Sequence, residues 1–325
     1  MNDSKRVLIV GFGSIARKHI RILKKNWPKI EIGLYKKDIF LKCHELNLCK
    51  RKFSTYQECI EWRPNFVIIA SPCSFHLDQA LFFAGQGLPT LIEKPIGTGS
   101  ESKNSWEKLL SLSKSVPIMV GYVFRHDECL KELKNFLSLN NHGKIIDIES
   151  YCGSWLPDWR PKSNYKNSVS ANKSFGGGVL LELSHEIDLI NHLFGPIEIR
   201  YTSLFNTNSL EIDVEDIALI QAECLSCKFI TIKLNFCTKP QERYLKIRFS
   251  DKNLTWELNK QIIKIKESQG DESILYKSEH DTDYKFKKQL ENFLKFVENK
   301  ETNFCSVNDA YATLNLISKS KRNVT

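Results

Sequence analysis

The chain of 325 residues has no apolar stretch approaching the roughly 20 uninterrupted residues that a membrane-spanning helix needs. Its early apolar run, Val7 to Val10, is cut by Gly11 and Gly13 and does not read as an export signal. Cys224 and Cys227 form a C-x-x-C pair, but no second pair exists at matching spacing, and a structural zinc site usually needs one. The other cysteines are irregularly spaced. The expectation is therefore a cytoplasmic protein with reduced thiols and no metal site, the pair lying in a hairpin turn. No basic block interleaved with aromatics accompanies the excess of 47 Lys plus Arg over 38 Asp plus Glu, a net charge of +9. Neither nucleic acid nor a membrane is then an expected partner. A basic surface does suit anionic small molecules. Repeats and low-complexity segments are missing too, and a hydrophobic share of 42% is too high for a disordered chain.

What is there is a clear alternation. Residues 6–10 read Arg-Val-Leu-Ile-Val, a β-branched apolar run suited to a buried parallel strand. A glycine-containing turn and a helical pattern over 17–25 follow. Further strands are expected at 30–35, 66–70, 89–92 and 117–122, with helices at 41–46, 76–84 and 105–112. That alternation argues for a doubly wound parallel sheet. Beyond residue 125 the pattern becomes a helix over 127–139, then strands at 144–151, 197–205, 217–223, 229–236, 244–249, 253–258 and 261–267. Successive strands with short turns predict a mostly antiparallel open sheet. One helix interrupts it, at 178–194, stopped by Gly195-Pro196. Helices at 284–299 and 307–321 close the chain. The fold class expected is α/β, an N-terminal Rossmann dinucleotide-binding domain over 1–122 and a C-terminal α+β domain over 123–325. Both closing helices are assigned to the second.

Gly11-x-Gly13-x-x-Ala16 between a buried strand and a helix is the context a dinucleotide-binding turn requires. Gly11 permits the tight turn, Gly13 leaves room for a diphosphate, and Ala16 allows close helix–strand packing. The helix N-terminus, at Ser14 and Ile15, offers free N–H groups and the positive end of the helix dipole. An acid at the end of the second strand would select NAD. The sequence has Tyr35-Lys36-Lys37 there, and both lysines complement the 2′-phosphate of NADP. The alternative is that the lysines are solvated and Asp38 takes the ribose of NAD.

Five separated motifs then resemble the Gfo/Idh/MocA oxidoreductases, relatives of glucose–fructose oxidoreductase and inositol dehydrogenase, over nearly the whole length. They are Gly11-Phe-Gly-Ser-Ile-Ala-Arg-Lys-His19, Ser71-Pro-Cys-Ser-Phe-His76, Glu93-Lys94-Pro95, Gly121-Tyr-Val-Phe-Arg125 and Gly176-Gly-Gly-Val-Leu-Leu-Glu-Leu-Ser-His-Glu-Ile-Asp188. The resemblance implies an NAD(P)-dependent enzyme moving hydride between nicotinamide and a hydroxyl or ketone carbon of a sugar. Ser71, Pro72, His76, Glu93 and Lys94 would line the cofactor, and Lys94 with His185 would handle the hydroxyl proton. Many members carry an Asp four residues before that His. Here position 181 is Leu and the acid is Glu182, a branch feature that leaves its role open between orienting His185 and touching substrate. On a single helix Glu182, His185 and Asp188 would share a face.

The run Ser154-Trp-Leu-Pro-Asp-Trp-Arg-Pro161, followed by Tyr165, resembles members associated with bacterial surface-polysaccharide sugars. Trp159 and Tyr165 suit stacking on a sugar, and Arg160 suits clamping a carboxylate or phosphate. The alternative is a loop whose tryptophans anchor the domain. Arg125 and Asp188 complete the substrate-site candidates. The resemblance also implies a homo-oligomer, dimer or tetramer. Competing readings are a dinucleotide-binding sensor of the same fold and a reductase of another substrate class.

Overall fold

The computed structural model describes residues 5–36, 43–139, 142–161, 163–300, 302 and 304–322. Lys37, Asp38 and the start of the helix expected at 41–46 lie outside the described residues. The chain forms two compact units. One comprises Met1–Tyr122 with Phe286–Tyr311, the other Val123–Lys285 with Ala312–Thr325.

In the first unit the elements run β1 (Arg6–Val10), α1 (Ser14–Asn26), β2 (Glu31–Tyr35), α2 (His44–Asn47), β3 (Arg51–Phe53), α3 (Tyr56–Glu61), β4 (Phe66–Ile69), α4 (His76–Gly85), β5 (Thr90–Ile92), α5 (Lys103–Leu112) and β6 (Ile118–Val120). The six strands are parallel, in the order β3-β2-β1-β4-β5-β6. Continuous apolar runs make the central strands: Val7–Val10 and Phe66–Ile69 are buried along their length, as a sheet covered on both faces demands. The strand order reverses between β1 and β4, and a crevice for a ligand opens at such a switch point, beyond the carboxyl ends of the strands. On α1, Ala16, His19, Ile20 and Leu23 are fully buried at helical spacing. Lys24 and Lys25 in its last turn match the negative end of its dipole.

The second unit carries α6 (Glu128–Ser138), β7 (Ile145–Gly153), α7 (Val179–Glu182), α8 (His185–Phe194), β8 (Glu198–Phe205), β9 (Ile217–Glu223), β10 (Ile230–Asn235), β11 (Glu242–Phe249), β12 (Lys252–Glu257), β13 (Ile262–Glu267) and β14 (Ser273–Lys277). Its eight-stranded sheet runs β14-β13-β12-β11-β7-β10-β9-β8. Only the β7–β10 pair is parallel. This is the mostly antiparallel sheet expected. Cys224 and Cys227 lie in the β9–β10 turn, where the Cys224 N–H donates to the Cys227 carbonyl at 2.8 Å.

Two expectations are corrected. The helix read over 178–194 is two helices. Leu183, at φ −101° and ψ 28°, leaves helical geometry and separates α7 from α8. The closing helix α9 (Tyr284–Val297) contributes Phe286–Val297 to the first unit rather than the second. There its stripe Leu290, Phe293 and Leu294 joins the core of Val7, Ile9, Ile20, Leu34 and Phe66, with the Phe66 and Phe293 rings edge to face at 5.6 Å. The last helix, α10 (Val307–Arg322), is divided between the two units.

Candidate active site

In the first unit the turn after β1 is shaped by its glycines. Gly11 sits at φ +96°, and a Cβ there would lie 2.6 Å from the Ala70 carbonyl oxygen and 2.7 Å from the Ser71 nitrogen. Only glycine lets the turn press on the exit of β4. Gly13 is the opposite case: a Cβ would meet nothing within 4 Å, so open space adjoins the helix start. The first intrahelical bond of α1 is Arg17 N–H to Gly13 carbonyl, 3.1 Å. The N–H groups of Ser14, Ile15 and Ala16 precede it, no side chain caps the helix, and no acid stands in its first turn. This open cradle of free donors fits a dinucleotide diphosphate.

Around the cradle, the Ser71 hydroxyl donates to Gln79 Oε1 (2.6 Å), and Gln79 Nε2 donates to the Tyr56 hydroxyl (3.1 Å). The Tyr56 ring packs on Tyr35, the last residue of β2, at 4.7 Å. Pro72 and Lys36 are half-buried beside Ser71 and Tyr35 in the chain. His76 does not turn its ring outward. It is buried, Nδ1 at 2.8 Å from the Pro95 carbonyl oxygen and Nε2 at 2.9 Å from that of Ser71. Burial outweighs the two carbonyls and lowers its pKa below the ordinary imidazole value. The ring is a brace between the β4 exit and the Glu93-Lys94-Pro95 turn. Glu93 is buried at the end of β5, with Oε1 2.6 Å from His19 Nε2. Lys94 is half-buried.

In the second unit, the break before α8 places His185 at the first position of that helix and Glu182 at the end of α7. They do not share one helix face. Instead α8 is fastened by the acids that follow His185. Glu186, 1% exposed, receives both Nε and Nη2 of Arg243, the second at 2.8 Å. Asp188 receives Nε (3.1 Å) and Nη2 (2.7 Å) of Arg125, and the Thr313 hydroxyl at 3.3 Å. Arg125 and Asp188, expected at the substrate, are thus a buried bidentate pair that holds α8. Burial opposes the charge of Arg243, but Cys152 and Glu186 outweigh it and raise its pKa above the ordinary value. The His185 ring rests on Phe124, centroids 4.8 Å apart, and the Phe124 ring also bears Arg243 at 4.5 Å and Lys285 at 5.3 Å.

The loop after β7 is its own scaffold. Trp159 Nε1 donates to the Ser154 hydroxyl (2.8 Å) and its ring meets Phe236 edge-on at 5.4 Å. The Tyr165 hydroxyl donates to the Leu210 carbonyl at 2.8 Å. Both side chains thus hold the loop in place, as the alternative reading expected of its tryptophans. Arg160 is half-buried and has no ion-pair partner among the described residues.

Residues not singled out from the sequence include Glu186, Arg243 and Phe124. Arg243 had a signal: it shares the β11 alternation of the buried Leu245, Ile247 and Phe249, so its side chain had to enter the core side. His19 had one too, its place in the buried stripe of α1.

Similarity to known proteins agrees with this geometry. The family model described as the oxidoreductase family with an NAD-binding Rossmann fold matches residues 5–122, and the Gfo/Idh/MocA C-terminal domain model matches residues 130–255. The rhizopine catabolism protein MocA of Rhizobium meliloti is 28% identical over 195 residues, 58% of this chain and 57% of that protein. The chain spans about half the length of the curated relatives it matches. Among solved structures, myo-inositol 2-dehydrogenase from Lactobacillus plantarum has a TM-score of 0.79 at 17% identity, covering 99% of this chain and 97% of that one. The WlbA dehydrogenase from Bordetella pertussis, in complex with NADH and UDP-GlcNAcA, has a TM-score of 0.79 at 17% identity, covering 99% and 96%. No helix among the described residues is long and apolar enough to cross a membrane. With both halves matched, the chain belongs to the Gfo/Idh/MocA family of oxidoreductases.

Proposed function

We propose that the protein is an NAD(P)-dependent dehydrogenase or reductase acting on a hydroxyl or ketone carbon of a sugar derivative. The observation that carries the reading is the joining, in one unit, of the open α1 cradle to the braced turn that presents Lys94. Gly11, Gly13, Ser14, Ile15 and Ala16 hold the diphosphate. When bound, the nicotinamide supplies the hydride acceptor or donor. Lys94 exchanges the hydroxyl proton with the substrate, which removes the charge that would otherwise build on the alkoxide oxygen. His185 is the second proton-handling group, its ring held by Phe124 and its helix by the two buried ion pairs. Glu182 is proposed as its acidic companion on the preceding helix.

Arg160 is the substrate-binding candidate that keeps a guanidinium available for an anion, which favours an acidic or nucleotide-activated sugar. The similar WlbA dehydrogenase was solved in complex with UDP-GlcNAcA. Together with the segment at 154–161, this supports a place in surface-glycan synthesis. For the cofactor, Tyr35-Lys36 stands where an acid would select NAD, which supports NADP.

Lys94→Ala is expected to lower turnover about a hundredfold or more while NAD(P)H binding persists. Absorbance at 340 nm across a panel of nucleotide sugars, uronic acids and inositols measures it, with NADPH and NADH compared throughout. Near-normal turnover in the variant would sink the assignment. Tight cofactor binding by the parent protein with no turnover on any sugar would favour the sensor.

A further inference from the structure

Both chain neighbours of Lys94 are bonded by buried imidazoles. On one side, His76 bonds the carbonyl oxygen of Pro95. On the other, His19 bonds the carboxylate of Glu93, whose second oxygen accepts the N–H of Lys94 at 3.3 Å. The His19–Glu93 pair is nearly sealed from solvent, at 0% and 5% exposure. His19 is the sixth residue of α1, the helix whose first turn forms the diphosphate cradle. Glu93 is fitted to its place on its far side as well. A Cβ on Gly121 would stand 3.1 Å from Glu93 Oε2 and 3.2 Å from Nε2 of the buried Gln289, so an added methyl would push the carboxylate or the amide by a few tenths of an ångström.

An apolar contact between α1 and the β5 exit would bury the same area without fixing any direction. A short hydrogen bond to one carboxylate oxygen fixes the plane of the other, and with it the amide of Lys94. Burying such a pair costs desolvation that stability alone does not call for.

We propose that His19 is a positioning residue. Through Glu93 it ties the backbone of Lys94 to the helix that holds the cofactor, so that lysine and diphosphate cradle keep one fixed relation. The proposal rests on Lys94 being the proton-exchanging group. Its test reads Lys94 directly, so its failure is distinct from failure of that reading.

In the full-length protein, amine labelling by acetic anhydride followed by peptide mass spectrometry gives the labelling rate of Lys94 relative to exposed Lys103. His19→Leu is expected to change that ratio several-fold. His19→Gln, which can still donate to Glu93, should return it toward the parent value. Gly121→Ala reaches the same carboxylate without touching His19 and should change the ratio as His19→Leu does, so the test survives if His19→Leu does not fold. With NADH as the probe, dissociation constants should stay close to the parent value. With any sugar the panel identifies, kcat should fall about tenfold or more at little change in cofactor KM. A Lys94 ratio unchanged in folded His19→Leu and in Gly121→Ala would overturn the proposal. So would a His19→Gln variant no better than His19→Leu.

Discussion

The two glycines of the cofactor turn should respond in opposite ways to the same added methyl group. At Gly11 the methyl would arrive 2.6–2.8 Å from three backbone atoms of Ala70 and Ser71, which no rotamer change can relieve. The residue is also held at φ +96°, where an L side chain costs roughly 1–2 kcal/mol. Overpacking against main chain adds about 1–3 kcal/mol, so Gly11→Ala should destabilise the fold by about 3 kcal/mol. With a urea m-value of roughly 2–3 kcal/mol/M, the midpoint moves down by about 1 M. At Gly13 the backbone is extended, at φ −74° and ψ −172°, and the methyl would meet nothing within 4 Å. There Gly→Ala should be neutral or stabilising by about 0.4–1 kcal/mol, because the unfolded chain loses freedom. The methyl would, however, occupy the space a diphosphate enters, and NADH affinity should fall about tenfold or more, or 1.4 kcal/mol. Urea melts followed by circular dichroism and NADH fluorescence titrations measure the two effects. Gly11→Ala melting with the parent protein, or Gly13→Ala binding NADH normally, would refute the reasoning.

Two further outcomes follow from the second unit. Arg243→Met leaves Glu186 buried without its guanidinium and should cost about 3–5 kcal/mol; adding Glu186→Leu should recover most of it, and a double-mutant cycle in urea checks both. His126 is pushed down to about 3 from an ordinary 6.5, by burial first and then by Arg125 and His192. The unfolded chain therefore takes up a proton that the folded one refuses, so the stability is fully present above pH 6.5 and is lost as pH falls toward 3. One such group contributes a slope of about 1.4 kcal/mol per pH unit. His126→Leu should flatten the pH dependence between pH 5 and 6.5, and an unchanged slope would disprove it.

The sequence was most readable where a residue's environment is local. The Val7–Val10 run and the glycines after it require one strand, one turn and one helix start, and they form β1 and α1. The three residues Arg51–Phe53 were missed as a strand because two of them are exposed, leaving no pattern to detect. The edge strand β14 hid for the same reason. The break between α7 and α8 falls at Leu183-Ser184, where neither Gly nor Pro announces it, so Glu182, His185 and Asp188 looked like one face. Arg125 is a related case. Its type is right for an anion, but only the fold brings the buried Asp188 to meet it. Trp159 and Tyr165 illustrate the general limit: an aromatic ring with a polar edge is equally suited to a ligand and to a neighbouring loop.

The stripe on α9 bears on the order in which the protein can be made. Leu290, Phe293 and Leu294 are core residues of the dinucleotide unit, yet the ribosome adds them after the whole eight-stranded sheet. The first 122 residues leave the exit tunnel with a hydrophobic gap on one face of their parallel sheet. That gap closes only once α9 has been added, after the second sheet. A fragment ending at residue 122 would expose the socket for those side chains, and it would be a poor module to transplant. The Rossmann unit starts before the second sheet is synthesised and is completed only after it.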